Sequence, residues 1–297
     1  MDKDFKFSGI VPALVTSFTA TGELNLDGVK TNVDYLIEKG VWGLLVCGST
    51  GEAATLTHEE RVEVIETAVV AARGRAKIIA GSGAPSTAET VHLCQDAKDA
   101  GADAVLVVTP FYAIPTQEGL YRHYKAINDT VDLPIIAYNI PQHTGVDIQL
   151  ETLERLAELE HVVGLKESSG RGSYVAEAIA RVGDRITIIE GGDDVFFPSL
   201  CMGTVGGILA LGNLAPAELV AMFNAVKAGQ YDKARKLYFH ILPIARAISV
   251  SVNFPSAVKV GVEMLGRPAG PARSPILPLS SGEEEEIRQA LVASGLL

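Results

Sequence analysis

The sequence predicts an α/β fold, namely a closed (β/α)8 TIM barrel with a C-terminal α-helical extension. Eight apolar strand-like runs alternate with helical patterns, and this alternation stops near Gly229. Eight such units within about 225 residues match the size of a (β/α)8 barrel. An open doubly wound sheet is the alternative, but residues 16–19, after the first strand, carry no glycine fingerprint. We therefore predict a barrel domain over residues 1–229 and a helical segment over residues 230–297.

The individual elements follow from the spacing of apolar residues. Short apolar runs bounded by polar residues or glycine predict strands at 10–16, 43–47, 77–81, 104–108, 134–138, 162–166, 186–190 and 205–211. Apolar residues three and four positions apart predict helices between them, for example at 27–39, 58–72, 87–100, 117–128 and 150–159. Three further helices are predicted after the last strand, at 231–249, 254–265 and 281–294.

Several predicted helix ends carry their own local signals. Asp27 or Asn25 can cap the first helix, and Thr57 can cap the second, with Glu60 completing a capping box. Four consecutive glutamates at 283–286 suit the solvated first turn of the last helix, where acidic residues complement the helix dipole. These signals agree with the helices that the apolar spacing predicts.

The composition is that of an ordinary soluble globular protein and excludes several function classes. The chain has 297 residues, of which 47% are hydrophobic and 21% charged. A net charge of −11 argues against a nucleic-acid partner or an anionic membrane surface. The three cysteines, Cys47, Cys94 and Cys201, predict reduced, mostly buried thiols in a cytoplasmic protein. We find no apolar run long enough for a signal peptide or a membrane span.

Lys166 is the residue that most directly suggests chemistry. It closes the apolar, β-branched run at 162–166, where a charged side chain needs water or a partner. Burial disfavours the ammonium form, and a neutral lysine amine is a nucleophile for carbonyl carbon. A lysine that extends from the strand end to solvent is the simpler interpretation of this segment alone. The surrounding motifs favour the catalytic interpretation instead.

Four unusual segments follow predicted strands, at the end where (β/α)8 barrels carry their chemistry. They comprise residues 48–52, 109–112 and 138–145, together with Lys166. Gly48-Ser49-Thr50-Gly51 offers main-chain N–H groups and two hydroxyls, which can bind a carboxylate, although an ordinary turn also explains it. Tyr138 can transfer protons, and Tyr112 can extend a hydroxyl relay, although each can also simply pack.

Three motifs resemble those of one family. Gly-Ser-Thr-Gly-Glu at 48–52, Tyr-Asn-Ile-Pro at 138–141 and Gly-Leu-Lys-Glu-Ser at 164–168 are similar, in sequence and spacing, to the dihydrodipicolinate synthase / N-acetylneuraminate lyase family of pyruvate-dependent class I aldolases. The resemblance runs from about residue 7 to the C-terminus. It implies a barrel with C-terminal helices, a homotetramer built as a dimer of dimers, and a Schiff base between pyruvate and Lys166.

The resemblance also implies roles for individual residues. Tyr138 would be the proton-transfer phenol, hydrogen-bonded through Thr50 to Tyr112. Tyr112 would reach in from the neighbouring subunit. Ser49 and Thr50 occupy the positions where the family holds the pyruvate carboxylate. These four residues and Lys166 are therefore the candidate catalytic and pyruvate-binding set.

His143 is the departure from the family that bears most on the substrate. Family members that make the dihydrodipicolinate precursor carry an arginine here, which grips the carboxylate of aspartate semialdehyde. A histidine is shorter, is not reliably charged at pH 7 and cannot form the bidentate fork. His143 is thus a candidate substrate-binding residue that favours an aldolase, although the residues at 115–120 resemble those of the synthases.

The segments after the seventh and eighth strands are expected to form the far wall of the site. Gly192 and Leu209 are the predicted lining residues. The pair Asp193-Asp194 could suggest a metal, but no histidine or further carboxylate stands at ligand spacing nearby. We therefore predict no metal and no other cofactor, because the covalent imine forms on Lys166 itself.

The favoured function is that of a class I lyase acting on pyruvate and an aldehyde. It would reversibly cleave or form a 4-hydroxy-2-oxo acid or a 2-keto-3-deoxy sugar acid. The alternative is 4-hydroxy-tetrahydrodipicolinate synthase, which condenses pyruvate with aspartate semialdehyde in lysine biosynthesis. A 2-oxo-acid sensor is disfavoured because it need not retain the proton-transfer residues. A pyridoxal-phosphate enzyme is disfavoured because the two aspartates at 193–194 would repel a phosphate.

Overall fold

The computed structural model describes residues 5–297, along which eight strands alternate with helices. The strands are β1 (Gly9–Pro12), β2 (Gly43–Val46), β3 (Lys77–Gly81), β4 (Ala104–Val108), β5 (Ile135–Asn139), β6 (Val162–Glu167), β7 (Thr187–Glu190) and β8 (Gly206–Leu209). The helices as far as β8 are α1 (Leu26–Glu38), α2 (His58–Ala72), α3 (Thr87–Asp99), α4 (Gln117–Thr130), α5 (Pro141–Thr144), α6 (Leu150–Leu156), α7 (Gly172–Val182) and α8 (Phe196–Met202). The later helices are α9 (Pro216–Lys227), α10 (Tyr231–Val250), α11 (Phe254–Met264) and α12 (Ser281–Ala293).

All eight strands belong to one sheet, in the order β1-β8-β7-β6-β5-β4-β3-β2. A parallel bridge between Ala13 and Leu45 joins the chain just after β1 to β2, so the order closes on itself. A closed parallel order with a helix after each strand is that of a (β/α)8 barrel. The predicted fold class is therefore confirmed.

Contacts group the chain into two compact units. Among the described residues, the first contains Ile79–Ile208 together with residues 5–8, and the second contains Gly9–Ile78 and Leu209–Leu297. The three C-terminal helices α10 to α12 occur where the sequence predicts them. The predicted domain boundary after residue 229 stays a prediction.

The first unit pairs its strands in a register that brings two predicted site residues together. Val105 pairs with Ile135, Tyr138 with Lys166, and Lys166 with Ile189. Side chains alternate between the two faces of a strand. Consequently Tyr138 and Lys166 share one face of the sheet, while the residues that follow them share the other.

The second unit confirms the predicted caps. The Asn25 side chain accepts a hydrogen bond from the Gly28 N–H and caps α1. The capping box of Thr57 and Glu60 is present at the start of α2. Ser280 and Glu283 form a second capping box on α12, whose first turn carries the predicted run of glutamates.

Some element bounds differ from the predicted ones. Strand β1 ends at Pro12 instead of residue 16, because only Ala13 continues the pairing, through its isolated bridge to Leu45. Helix α5 is a single turn with a proline at its start, inside the motif that follows β5. A single turn is too short to show a helical period, which is why the apolar spacing does not reveal it.

Two further expectations concern the cysteines and the helices. All three cysteines are free thiols: Cys47 and Cys94 are buried and Cys201 is exposed. Burial raises the pKa of Cys47 and of Cys94 to about 12, so both stay protonated at neutral pH. Among residues 5–297, no helix is both long and apolar enough to cross a membrane.

Candidate active site

Lys166 and Tyr138 form a buried pair on neighbouring strands. Lys166 is only 5% exposed in β6, and Tyr138 is 6% exposed in β5. The Lys166 Nζ lies 4.2 Å from the centroid of the Tyr138 ring. An amine and a phenol are thus held side by side, as a reaction that combines nucleophilic attack with proton transfer requires.

The opposite face of the same two strands carries a hydrogen-bond network. The Asn139 Nδ2 donates to Glu167 Oε2 at 2.8 Å and to Asp147 Oδ1 at 3.0 Å. The Ser169 N–H donates to Glu167 Oε1 at 2.6 Å, and the Ser168 N–H donates to the Asn139 carbonyl at 2.9 Å. This network ties β5 to β6 at the level of Tyr138 and Lys166, so it restricts movement of one relative to the other. Burial raises the pKa of Glu167, although the hydrogen bonds that Glu167 accepts from Ser169 and Asn139 lower it in part.

The end of β7 adds a second buried carboxyl beside the first. Glu190 is 2% exposed and pairs in register with Glu167. Burial raises the pKa of Glu190 to about 7, with a smaller contribution from the nearby Glu167 carboxylate. Its Oε1 accepts the N–H of Gly191 at 2.9 Å and that of Gly192 at 2.7 Å. The sequence did not suggest Glu190, because an acidic residue that ends a strand usually marks the point of solvent exposure.

Gly192 and its neighbour Gly191 form a turn next to the lysine. A Cβ atom added to Gly191 would lie 2.6 Å from Lys166 Cε and 2.0 Å from Ser168 Oγ. Only glycine fits such a close approach without displacing one of these side chains. Ser168 is 8% exposed, and its hydroxyl has no hydrogen-bond partner among residues 5–297. Ser168 is thus a polar group beside Lys166 that sequence reasoning did not single out.

The loop after β5 holds His143 at the surface. Its neighbour Thr144 is buried, and the Thr144 hydroxyl donates to the Ile140 carbonyl at 3.1 Å. The Gln142 Nε2 donates to the Ser168 carbonyl at 2.6 Å. The side chains on either side of His143 therefore anchor the loop, while His143 itself stays exposed. The His143 side chain is therefore accessible to solvent.

Tyr112 does not join the buried pair within this chain. It lies in the loop after β4, has a φ of 72° and is 96% exposed. A tyrosine in the left-handed region of φ is uncommon and marks a constrained loop. The structure therefore places the Tyr112 phenol at the surface, away from the buried environment of Lys166 and Tyr138.

Ser49 and Thr50 lie directly after β2, in the second unit. Thr50 is buried at 4% exposure, whereas Ser49 is exposed. The loop is closed by hydrogen bonds from the Glu52 N–H to the Ser49 carbonyl at 3.1 Å and from the Thr16 hydroxyl to the Gly51 carbonyl at 2.6 Å. Leu209, in the same unit, is fully buried at the end of β8, and its carbonyl accepts the Ala13 N–H at 2.9 Å.

Glu52, which follows Ser49 and Thr50, is held by a buried ion pair. The Lys259 Nζ of α11 lies 2.6 Å from Glu52 Oε1, with side-chain exposures of 2% and 0%. Lys259 also donates to the Pro271 carbonyl at 2.9 Å and lies 4.0 Å from the centroid of the Phe18 ring. The Arg273 N–H donates to Glu52 Oε2 at 2.8 Å. Burial lowers the pKa of Lys259, whereas the adjacent Glu52 opposes that shift.

Replacing Lys259 with methionine is expected to lower the free energy of unfolding by about 3–5 kcal/mol, because Glu52 would remain buried without its cation. Urea unfolding at pH 7 measures the change. Lys125 pairs with Asp129 on the surface of α4 and provides the control, since Lys125→Met should change stability little. An unfolding midpoint of Lys259→Met equal to that of the wild type would show that the buried pair contributes no net stability.

Comparison with known proteins identifies the class of protein to which this barrel belongs. A model of the "Dihydrodipicolinate synthetase family" matches residues 6–294. The chain is 39% identical over 292 residues to "4-hydroxy-tetrahydrodipicolinate synthase" of Syntrophobacter fumaroxidans, covering 98% of this chain and 100% of that protein. The present chain is therefore a (β/α)8 enzyme of the lyase class. The chain belongs to the dihydrodipicolinate synthetase family.

Solved structures agree with this assignment. Dihydrodipicolinate synthase from Aquifex aeolicus superposes with a TM-score of 0.94 at 37% identity, covering 98% of this chain and 99% of the other. A structure described as the first monomeric dihydrodipicolinate synthase variant has a TM-score of 0.95 at 36% identity, with 98% of both chains covered. One similar chain is thus described as a monomeric variant, so family membership alone does not establish the predicted homotetramer.

Proposed function

We propose that this chain condenses pyruvate with aspartate semialdehyde, as a 4-hydroxy-tetrahydrodipicolinate synthase does. The observation that carries the proposal is the buried Lys166 amine beside the Tyr138 phenol. Two relatives that match 98% and 96% of this chain are named 4-hydroxy-tetrahydrodipicolinate synthase. These names favour the synthase assignment, whereas His143 favours the aldolase assignment. No cofactor is required, because the lysine itself activates the substrate.

The chemistry follows from the two side chains. The Lys166 amine attacks the ketone carbon of pyruvate, and the ketone oxygen leaves as water when the imine forms. Loss of a proton from the pyruvate methyl group then gives an enamine, whose carbon attacks the aldehyde. Tyr138 would move these protons. Ser49 and Thr50 would hold the pyruvate carboxylate, and Gly192 and Leu209 would line the site.

Cleavage of a 4-hydroxy-2-oxo acid or a 2-keto-3-deoxy sugar acid is the second candidate function. The observation that favours it is the exposed His143, which stands where the synthases of the family are expected to carry arginine. An arginine holds a carboxylate by two parallel charge-assisted bonds, whereas a neutral imidazole supplies one donor. The two functions share the imine and differ only in the aldehyde.

We expect the wild-type protein to condense aspartate semialdehyde with pyruvate at a higher kcat/KM than it cleaves any 4-hydroxy-2-oxo acid. His143→Arg should raise the synthase kcat/KM by roughly 10-fold, the value of about one extra charge-assisted hydrogen bond. His240 is an exposed histidine on α10, and His240→Arg is the matched control that should leave both activities unchanged. Faster cleavage than condensation by the wild type would replace the synthase with the aldolase.

A subunit contact through Tyr112 is the oligomeric part of the proposal. Tyr112 and Ile114 expose 96% and 65% of their surface on one loop, and such a loop offers an apolar contact for a second copy of the chain. In a homotetramer, Tyr112 would then complete the partner's proton relay. The molar mass in solution tests this, and a monomer with full activity would contradict it. The cytoplasmic location stays a prediction.

A further inference from the structure

Glu190 is a buried acidic group for which the proposed reaction needs no role. It sits on the last position of β7, on the face of the sheet that carries Glu167 and not on the face that carries Lys166. The Ser199 hydroxyl of α8 donates to Glu190 Oε2, while Oε1 accepts two main-chain N–H groups. A buried carboxyl is costly unless its oxygens are satisfied, and here each oxygen accepts at least one hydrogen bond.

The two N–H groups belong to the turn that contacts the lysine. Gly191 shares its N–H between Glu190 Oε1 and the Glu167 carbonyl, at 2.9 Å and 2.8 Å. The Gly192 N–H donates to Glu190 Oε1 at 2.7 Å. The Gly191 backbone in turn passes so close to the side chains of Lys166 and Ser168 that no Cβ would fit. One carboxyl oxygen therefore fixes the backbone that limits where the lysine stem can lie.

We infer that Glu190 is a positioning residue for Lys166, acting through the Gly191-Gly192 turn. Its carboxyl oxygen holds the turn against the lysine stem and so holds the amine in one orientation for attack on the ketone. The inference rests on the proposed imine, but it does not depend on which aldehyde follows. Displacement of a reacting group by about 1 Å can cost roughly 100-fold in rate, so a small shift of this turn is enough to matter.

Two substitutions of Glu190, to glutamine and to leucine, distinguish this positioning role from a general effect on stability. Glu190→Gln keeps a carbonyl oxygen that can accept both N–H groups, whereas Glu190→Leu keeps the approximate volume and removes the acceptor. Ser199→Ala is the matched control, because it removes the other hydrogen bond of the same carboxyl and leaves the turn bonded. The rate of imine formation is measured by mixing protein with pyruvate, quenching with borohydride at intervals and following the adduct by intact mass.

We expect Glu190→Leu to slow imine formation by about 10- to 100-fold with a change in the pyruvate KM of less than about threefold. Glu190→Gln and Ser199→Ala should each stay within about threefold of the wild-type rate. The inference is overturned if Glu190→Leu forms the imine as fast as the wild type. It is also overturned if Glu190→Gln forms the imine as slowly as Glu190→Leu. A Ser199→Ala protein that forms the imine as slowly as Glu190→Leu also overturns the inference, since loss of the contact with α8 would then explain the slower reaction.

Gly191→Ala provides an independent test if Glu190→Leu does not fold. It leaves Glu190 in place and adds the methyl group that has no room beside Lys166 and Ser168. Slower imine formation is expected, and a wild-type rate would show that the turn does not constrain the lysine. Failure of the proposed imine looks different from either result, because the wild-type protein itself would then give no borohydride adduct with pyruvate. Failure of the synthase assignment alone would leave the adduct and change only the preferred aldehyde.

Discussion

Lys166→Arg is expected to lower kcat by about 10⁴-fold or more, in the range that loss of a covalent nucleophile costs an enzyme. Arginine keeps the positive charge but cannot lose its proton and form the imine. The side chain is 5% exposed and rests over the Tyr138 ring, which an arginine can also contact. The fold should therefore survive, with a circular dichroism spectrum like that of the wild type.

Borohydride trapping identifies the reacting lysine directly. With pyruvate, the wild-type protein should gain the mass of one reduced adduct, located on the peptide that contains Lys166. Lys166→Arg should gain none. Lys227 is an exposed lysine at the end of α9, and Lys227→Arg is the control that should retain both adduct and turnover. An adduct on another peptide, or full activity in Lys166→Arg, would reject the imine mechanism.

Tyr138→Phe is expected to lower kcat by roughly 10²–10⁴-fold, the usual contribution of a positioned acid–base group. The substitution keeps the ring over which the Lys166 Nζ lies, so it removes only the hydroxyl. The phenol acts on protons and not on the pyruvate carboxylate, and the KM for pyruvate should therefore change much less than kcat. Steady-state kinetics with pyruvate varied at a saturating aldehyde concentration measures both.

Tyr174 is the matched control for this experiment. It is also a buried tyrosine, and its hydroxyl donates to the Ile148 carbonyl at 2.6 Å. Tyr174→Phe removes that donor and should cost about 1–3 kcal/mol of stability, with kcat nearly unchanged. The opposite pattern, in which Tyr138→Phe loses stability but keeps wild-type turnover, would show that Tyr138 serves only to pack.

Much of the fold could be predicted because its signals are local. The strand at 77–81 and the helix at 58–72 are observed with the predicted bounds, and both owe this to short-range features. The helix begins at the Thr57–Glu60 capping box, which involves residues three apart, and the strand is a short run between polar residues. Strand β1 was less predictable because its end depends on where pairing with another strand stops.

Part of the candidate site could be predicted for a related reason. Lys166 and Tyr138 each close a predicted strand and lie one residue before the end of the observed one, and parallel strands bring such ends to one edge of the sheet. The structure places these two side by side. Ser168 and Glu190 were missed, because nothing within a few residues shows that a hydroxyl will lack a partner or that a carboxyl will be buried.

The sequence by itself determined the order of strands and helices, their caps and the lysine next to the end of β6. Each depends on residues a few positions apart, whose interactions the chain encodes directly. Only the tertiary structure decided which polar and charged groups are buried away from water. It buries Lys259 against Glu52 of a distant segment, and it surrounds Glu190 with Ser199 and the Gly191-Gly192 turn. Burial and charge pairing arise from the packing of segments far apart in the chain, and local pattern does not specify that packing.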